Sequence, residues 1–140
     1  MVALAGMFAF PVTLRADNDD VVEYRQHVMK TLREQFESIE MILQGKAPPD
    51  NLATHARILA ITASTAKKAF EPKVPGGESK PEIWTHWPDF SARLDALSMA
   101  TEAFASAPKK DAAAAAMSKI DAAGLCKGCH DSYAADVTKK

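Results

Sequence analysis

The chain has 140 residues, 47% hydrophobic and 25% charged, which suits one globular domain and leaves no room for a second. Its 17 basic and 18 acidic residues give a net charge of −1, without the basic cluster that nucleic acid or an anionic membrane would need. Two cysteines three positions apart exclude a disulfide framework and a four-cysteine zinc site.

Residues Met1 to Leu14, MVALAGMFAFPVTL, carry no charge. The run falls short of the about 20 apolar residues that a membrane-spanning helix needs. Its length fits the apolar part of an export signal, ending at Leu14-Arg15-Ala16 before Asp17-Asn18-Asp19-Asp20. The basic end of such a signal is missing, as it would be if the start were placed too far downstream, and Leu14 is bulkier than the usual small residue. Residues 1–16 are therefore expected to form an export signal and residues 17–140 the mature domain, with a buried N-terminal segment as the other reading. Cleavage after Ala16 would remove Arg15, leaving 16 basic and 18 acidic residues and a net charge of −2.

Asp19 or Asp20 is expected to cap a first helix. Its seam is Val22, Arg25, Met29, Leu32, Phe36, Ile39 and Leu43, in alternating steps of three and four, and Gly45 and Pro48-Pro49 end it. A second, Ala-rich helix should run from near Asp50 to about Phe70, with Leu52, Leu59, Ala63, Ala66 and Phe70 inward. Pro72, Pro75, Gly76 and Gly77 make residues 71–80 a loop. A third helix starts near Pro81 with the seam Ile83, Trp87, Phe90, Leu94, Leu97, Thr101 and Phe104, and Pro88 kinks it or marks a separate turn. Pro108 breaks it, and a fourth should run from about Asp111 to Lys139 with Ala113, Met117, Ile120, Gly124 and Tyr133 inward. No stretch alternates with the period of a strand, so the predicted fold is all-α, an antiparallel up-down-up-down four-helix bundle.

Near the C-terminal end, Cys126-Lys127-Gly128-Cys129-His130 is the C-x-x-C-H pattern of covalent c-type haem attachment. On a helix the two thiols lie one turn apart on one face, so both can add to the vinyl groups along one edge of a porphyrin. His130 can then turn its imidazole beneath the iron as the proximal ligand. Gly128 is expected to leave the backbone bare where the macrocycle approaches. Two rival readings compete. A thioredoxin-like disulfide needs a βαβ context that is absent. A zinc site would add His27, His55 or His86 to Cys126, Cys129 and His130, an unusual arrangement without a second ligand pair. One covalent haem c with its iron is the favoured reading. It implies export, because the apoprotein must meet the attachment machinery outside the cytoplasm.

A haem motif on the last helix of a four-helix bundle, with Tyr24-Arg25-Gln26 early in the first helix and Pro81-Glu82-Ile83-Trp84 after a Gly-Gly loop, resembles the cytochrome c′ family, the class II cytochromes c. Asp131 and Tyr133 after the motif add to the likeness, which covers residues 19–140. The resemblance implies that Arg25 and Gln26 lie near the haem propionates, and an inward Arg25 does need such a partner. It also places Met29, one turn beyond Arg25, over the open side of the iron. High-spin members usually have an apolar residue such as Leu there, whereas low-spin members use a Met from this region as sixth ligand. A thioether is a good axial ligand, so Met29 is expected to bind the iron, with core packing as the plainer reading. His27, two residues from both Arg25 and Met29, should face outward, and His55 and His86 should lie at the surface or between helices. One departure is Ala134, where the family often has a basic residue four positions after the haem histidine.

With His130 and Met29 both bound, the iron would have no free position and would suit electron transfer between redox partner proteins in the bacterial periplasm. The alternative is a five-coordinate, high-spin haem, shielded by Met29, that binds nitric oxide or carbon monoxide. No nucleophile or acid–base pair points to an enzyme. The resemblance also implies a homodimer through the first two helices, although Lys30, Arg33, Glu34, Glu37 and Glu40 charge the outer face of the first.

Overall fold

The computed structural model describes residues 17–122 and 124–135. The expected export signal at residues 1–16 lies outside the described residues.

Among the described residues there are six α-helices and no strand: α1 (Asn18–Leu43), α2 (Leu52–Phe70), α3 (Glu82–Thr85), α4 (Trp87–Ser106), α5 (Lys110–Ala122) and α6 (Lys127–Tyr133). They build the four-helix bundle read from the sequence. Helix α1 packs on α2, α2 on α4, α4 on α5 and α5 back on α1. The third and fourth rods are each made of two helices, α3 with α4 and α5 with α6.

Helix α1 starts two residues earlier than the acidic run suggests. Asp17 is the N-cap, and it exchanges hydrogen bonds with Asp20, each side chain accepting from the other's backbone N–H. This reciprocal cap satisfies two donors that a helix start otherwise leaves unpaired. At the other end Gly45 takes a left-handed conformation (φ 72°), and the Gly45 and Lys46 N–H groups donate to the Ile42 and Met41 carbonyls. That is the usual six-residue closure of a helix by glycine. A 3-10 turn, Pro49–Asn51, leads into α2.

The α1 seam is shifted from the one read off the heptad. Arg25, Leu32 and Ile39 are buried as expected, but Val28 and Ile42 are buried too, while Met29 and Phe36 are only partly covered. The reason is that α1 serves two neighbours. One edge of its apolar stripe meets α2, and the other opens on a cavity. In α2 all five predicted inward residues are buried, and Ala56 and Ala69 join them. Small side chains there let α1 and α4 approach closely.

The third rod breaks at His86, whose backbone leaves the helical region (φ −116°, ψ 35°) just before the Trp87-Pro88 start of α4. Pro88 thus marks a new helix start, where proline's missing N–H costs nothing. Thr101, the one polar residue of the α4 seam, is fully buried, and its hydroxyl donates to the Leu97 and Ser98 carbonyls.

The last rod corrects a single-helix expectation. Gly124 adopts φ 64°, and the Gly124 and Leu125 N–H groups close α5 on the Asp121 and Ile120 carbonyls. The chain turns and restarts as the two-turn α6, which ends at Tyr133; Ala134 is extended (ψ 143°). The expected helical run to Lys139 therefore stops near Tyr133, because Ala134 and Ala135 pair with the 71–80 loop instead.

Candidate functional site

The bundle encloses a cavity of about 520 Å³ between α1, α4 and the α5–α6 turn. This is in the range of pockets that hold a cofactor-sized ligand. Its deep walls are apolar, with Leu32, Leu59, Phe90 and Leu94 among them, and its mouth carries the exposed Lys30, Arg33, Glu78, Asp121 and Lys127. Lys30 and Arg33 thus border the mouth rather than facing away with the rest of the charged α1 surface.

All six residues singled out in the sequence line this cavity. Cys126, Cys129 and His130 come from the α5–α6 turn and α6, and Arg25, Gln26 and Met29 from α1. Their convergence follows from two helical spacings. Cys126 and Cys129 differ by three positions, and Arg25 and Met29 by four, so each pair shares a face. His130 is exposed at its edge of the cavity, whereas Cys129 is buried. His27, His55 and His86 do not line it. His27 Nε2 lies 3.4 Å from Glu23 on the outer face of α1, His55 Nδ1 lies 2.8 Å from Gln35 Oε1 between α1 and α2, and His86 Nδ1 lies 3.1 Å from the Thr85 hydroxyl. Among the described residues, no three metal-binding side chains cluster as a zinc site would require.

Both cysteines are free thiols. Burial pushes both upward from the ordinary thiol range, Cys129 to about 11. Gly128 does not face the cavity, contrary to expectation. A side chain there would meet the Arg93 guanidinium of α4 at 3.7 Å. Gly128 precedes His130 by two positions, so the two point to opposite sides of α6.

Arg25 is 1% exposed. Its Nη1 donates to the Val74 carbonyl (2.6 Å) and its Nη2 to the Gly76 carbonyl (2.7 Å). The guanidinium lies over the Phe70 and Trp84 rings, 5.6 and 5.3 Å from their centroids. Burial lowers its pKa from the usual arginine value. Within the protein itself the partners of this buried cation are loop carbonyls. Trp84 of the PEIW segment is itself fixed, its indole N–H donating to the Phe70 carbonyl (2.9 Å) at the end of α2.

Two residues of this neighbourhood had no signal in the sequence. Asp89 and Arg93 sit one turn apart on α4, with Arg93 Nε donating to Asp89 Oδ2 (2.8 Å). Tyr133 at the end of α6 donates its hydroxyl to the same oxygen (2.5 Å). These bonds, from Tyr133 first and Arg93 second, hold the Asp89 carboxyl below its ordinary 3.8. The stability it confers is thus complete above that value and lost as the pH falls through the lower folded one. Asp89→Asn should flatten the acid side of the stability curve below about pH 5. Urea unfolding of the two proteins at several acid pH values checks this; parallel curves would sink it.

The model for the family described as "Cytochrome C'" matches residues 20–134. The chain belongs to the cytochrome c′ family. Cytochrome c′ of Alcaligenes xylosoxydans xylosoxydans is 29% identical over 123 residues, 84% of this chain and 95% of the relative. Cytochrome c-556 of Agrobacterium tumefaciens is 32% identical over 119 residues, 80% of this chain and 94% of the relative. Among solved structures, the nitric oxide complex of a Leu-to-Val variant of Alcaligenes xylosoxidans cytochrome c′ superposes with a TM-score of 0.76 at 28% identity, covering 87% of this chain and 99% of that one. The protein is thus a monohaem c-type cytochrome with covalently attached haem c. The cavity fits that cofactor: both thiols and one imidazole converge on a largely apolar space, with the buried Arg25 in its lining and the exposed charged groups at its mouth. At Ala134, where the family often carries a basic residue, the backbone is spent on a bridge to Ser79. No helix among the described residues is long and apolar enough to cross a membrane.

Proposed function

We propose that this cytochrome holds its haem through Cys126 and Cys129, with His130 as the proximal ligand, and works in the bacterial periplasm as a binder of small diatomic gases such as nitric oxide or carbon monoxide. The bound haem would supply a redox-active iron with one free coordination position. The protein's part is to leave that position open and dry. The observation that carries the reading is the apolar part of the lining that α1 and α4 supply. Along α1 and α4 it is formed by Met29, Leu32, Phe36 and Leu94, and the cavity lining contains no second imidazole. A solved cytochrome c′ relative holding nitric oxide supports the same reading. Met29 then acts by bulk, screening the free side.

A second reading keeps Met29 as a sixth ligand and the protein as an electron carrier. It draws on one observation, that Met29 is the only thioether in the lining among the described residues, together with the cytochrome c-556 relative. The absorption spectrum decides. Broad high-spin bands in the ferrous protein that shift with carbon monoxide are expected, and Met29→Leu should leave them high-spin because the shielding bulk is kept. Sharp low-spin bands insensitive to carbon monoxide, converted to high spin by Met29→Leu, would replace gas binding with electron transfer.

A further inference from the structure

The loop 71–80 is bound on both sides. On one side it lies flat on α1. Gly77 (φ 59°) is so close that a side chain there would come within 2.7 Å of the Gln26 amide nitrogen and 3.2 Å of Val22, and one on Gly76 (φ 134°) would come within 3.2 Å of Val22. Only glycine takes these backbone angles freely and leaves that contact open. Arg25 then ties the same stretch down through the Val74 and Gly76 carbonyls. On the other side the loop pairs with the end of α6. Ser79 bridges to Ala134, the Lys80 N–H donates to the Tyr133 carbonyl (3.0 Å) and the Ala135 N–H to the Glu78 carbonyl (2.7 Å). The Lys80 ammonium adds a bond to the Asp131 carbonyl, one residue beyond His130.

We propose that Arg25 is a positioning residue, a clasp that joins α1 to the haem-attachment helix through residues 74–80 and so sets the separation of Met29 and His130 across the cavity. Direct contact between α1 and α6 is slight, and the loop supplies the link. The fork of the guanidinium is what suits it to the task. Two terminal nitrogens reach two carbonyls two residues apart, while the flat face lies against Phe70 and Trp84, so the group has no freedom to turn away. Lysine carries the same charge but offers a single nitrogen and no plane to stack. Hydrogen bonds from a charged donor are also among the stronger ones in a fold, and here two of them are part-buried. The inference rests on the haem-site reading only for the roles of Met29 and His130.

The test is amide hydrogen exchange on the haem-loaded protein, with Ile39 in the bundle core as the control. In Arg25→Lys the Lys80 and Ala135 amides should exchange at least about tenfold faster while Ile39 is unchanged, the amount expected when one charged hydrogen bond is lost. Gly77→Ala, which lifts the loop from the Gln26 side without touching any charge, should have the same effect. In both variants the carbon monoxide difference spectrum should shift from that of the unmodified protein. If Arg25 acts only as a charge, Arg25→Lys will match the unmodified protein at Lys80 and Ala135, and the clasp is wrong. Failure of the gas-binding reading shows elsewhere, in the carbon monoxide response of the unmodified protein, so the two outcomes are separable.

Discussion

A chain in which Cys126 and Cys129 are both alanine will carry no covalent haem, and the loss will be all or none. Both thiols line one cavity, three positions apart, and cytochromes of this family hold their cofactor by thioether bonds. Each bond forms when a sulfur and its hydrogen add across a vinyl group, so no other side chain can replace the thiol. Haem staining of a denaturing gel reads the result directly. Single variants should keep one bond and stain weakly, and His130→Ala should still stain but lose the spectrum of an imidazole-bound iron. The unmodified chain expressed without an export signal should also fail to stain, if attachment takes place outside the cytoplasm. Full staining of the double alanine variant would overturn the attachment assignment.

Phe90→Ala should be the most damaging single change in the bundle, costing about 3–5 kcal/mol. Phe90 is 3% exposed and meets Phe70 of α2 and Tyr133 of α6 edge to face, with ring centroids 5.0 and 5.2 Å apart. It also touches Trp87 at 5.8 Å. One ring thus joins three rods of the bundle and one wall of the haem cavity, and its removal leaves a void beside a space that is already open. A domain of this size should lose roughly 10 °C or more in Tm. Phe90→Leu, which keeps much of the volume but not the edge-to-face contacts, should cost clearly less. Thermal unfolding of the haem-loaded proteins by circular dichroism measures both. Equal stability of Phe90→Ala and the unmodified protein would mean that Phe70 and Tyr133 are held by something other than this ring.

Tyr133 shows where sequence reasoning reached its limit. Its place on an inward face follows from helical spacing, and the resemblance drew attention to it. Its bond to Asp89 spans 44 positions and no pattern announces it. The same holds for Arg25. The inward seam showed that a buried cation would need partners, but the acceptors are backbone carbonyls of a loop 49 and 51 positions away. Any residue could have supplied those carbonyls, so composition carries no trace of them. Gly128 was misplaced for a related reason. Its motif position suggested the haem side, and only the direction of α6 relative to α4 shows that it faces Arg93.

What the amino-acid sequence determined by itself is local and periodic. The steps of three and four apolar residues define helices, glycines and prolines mark their ends, and the spacing of Cys126, Cys129 and His130 carries the chemistry of attachment, because each of these depends on neighbours within one or two helical turns. Tertiary structure alone decided that the last rod divides at Gly124, that α1 shares its apolar stripe between α2 and a cavity, and that the 71–80 loop spans from Arg25 to the end of α6. Those features depend on which surfaces meet, and periodicity reports only which side of a helix is apolar, never which neighbour will cover it.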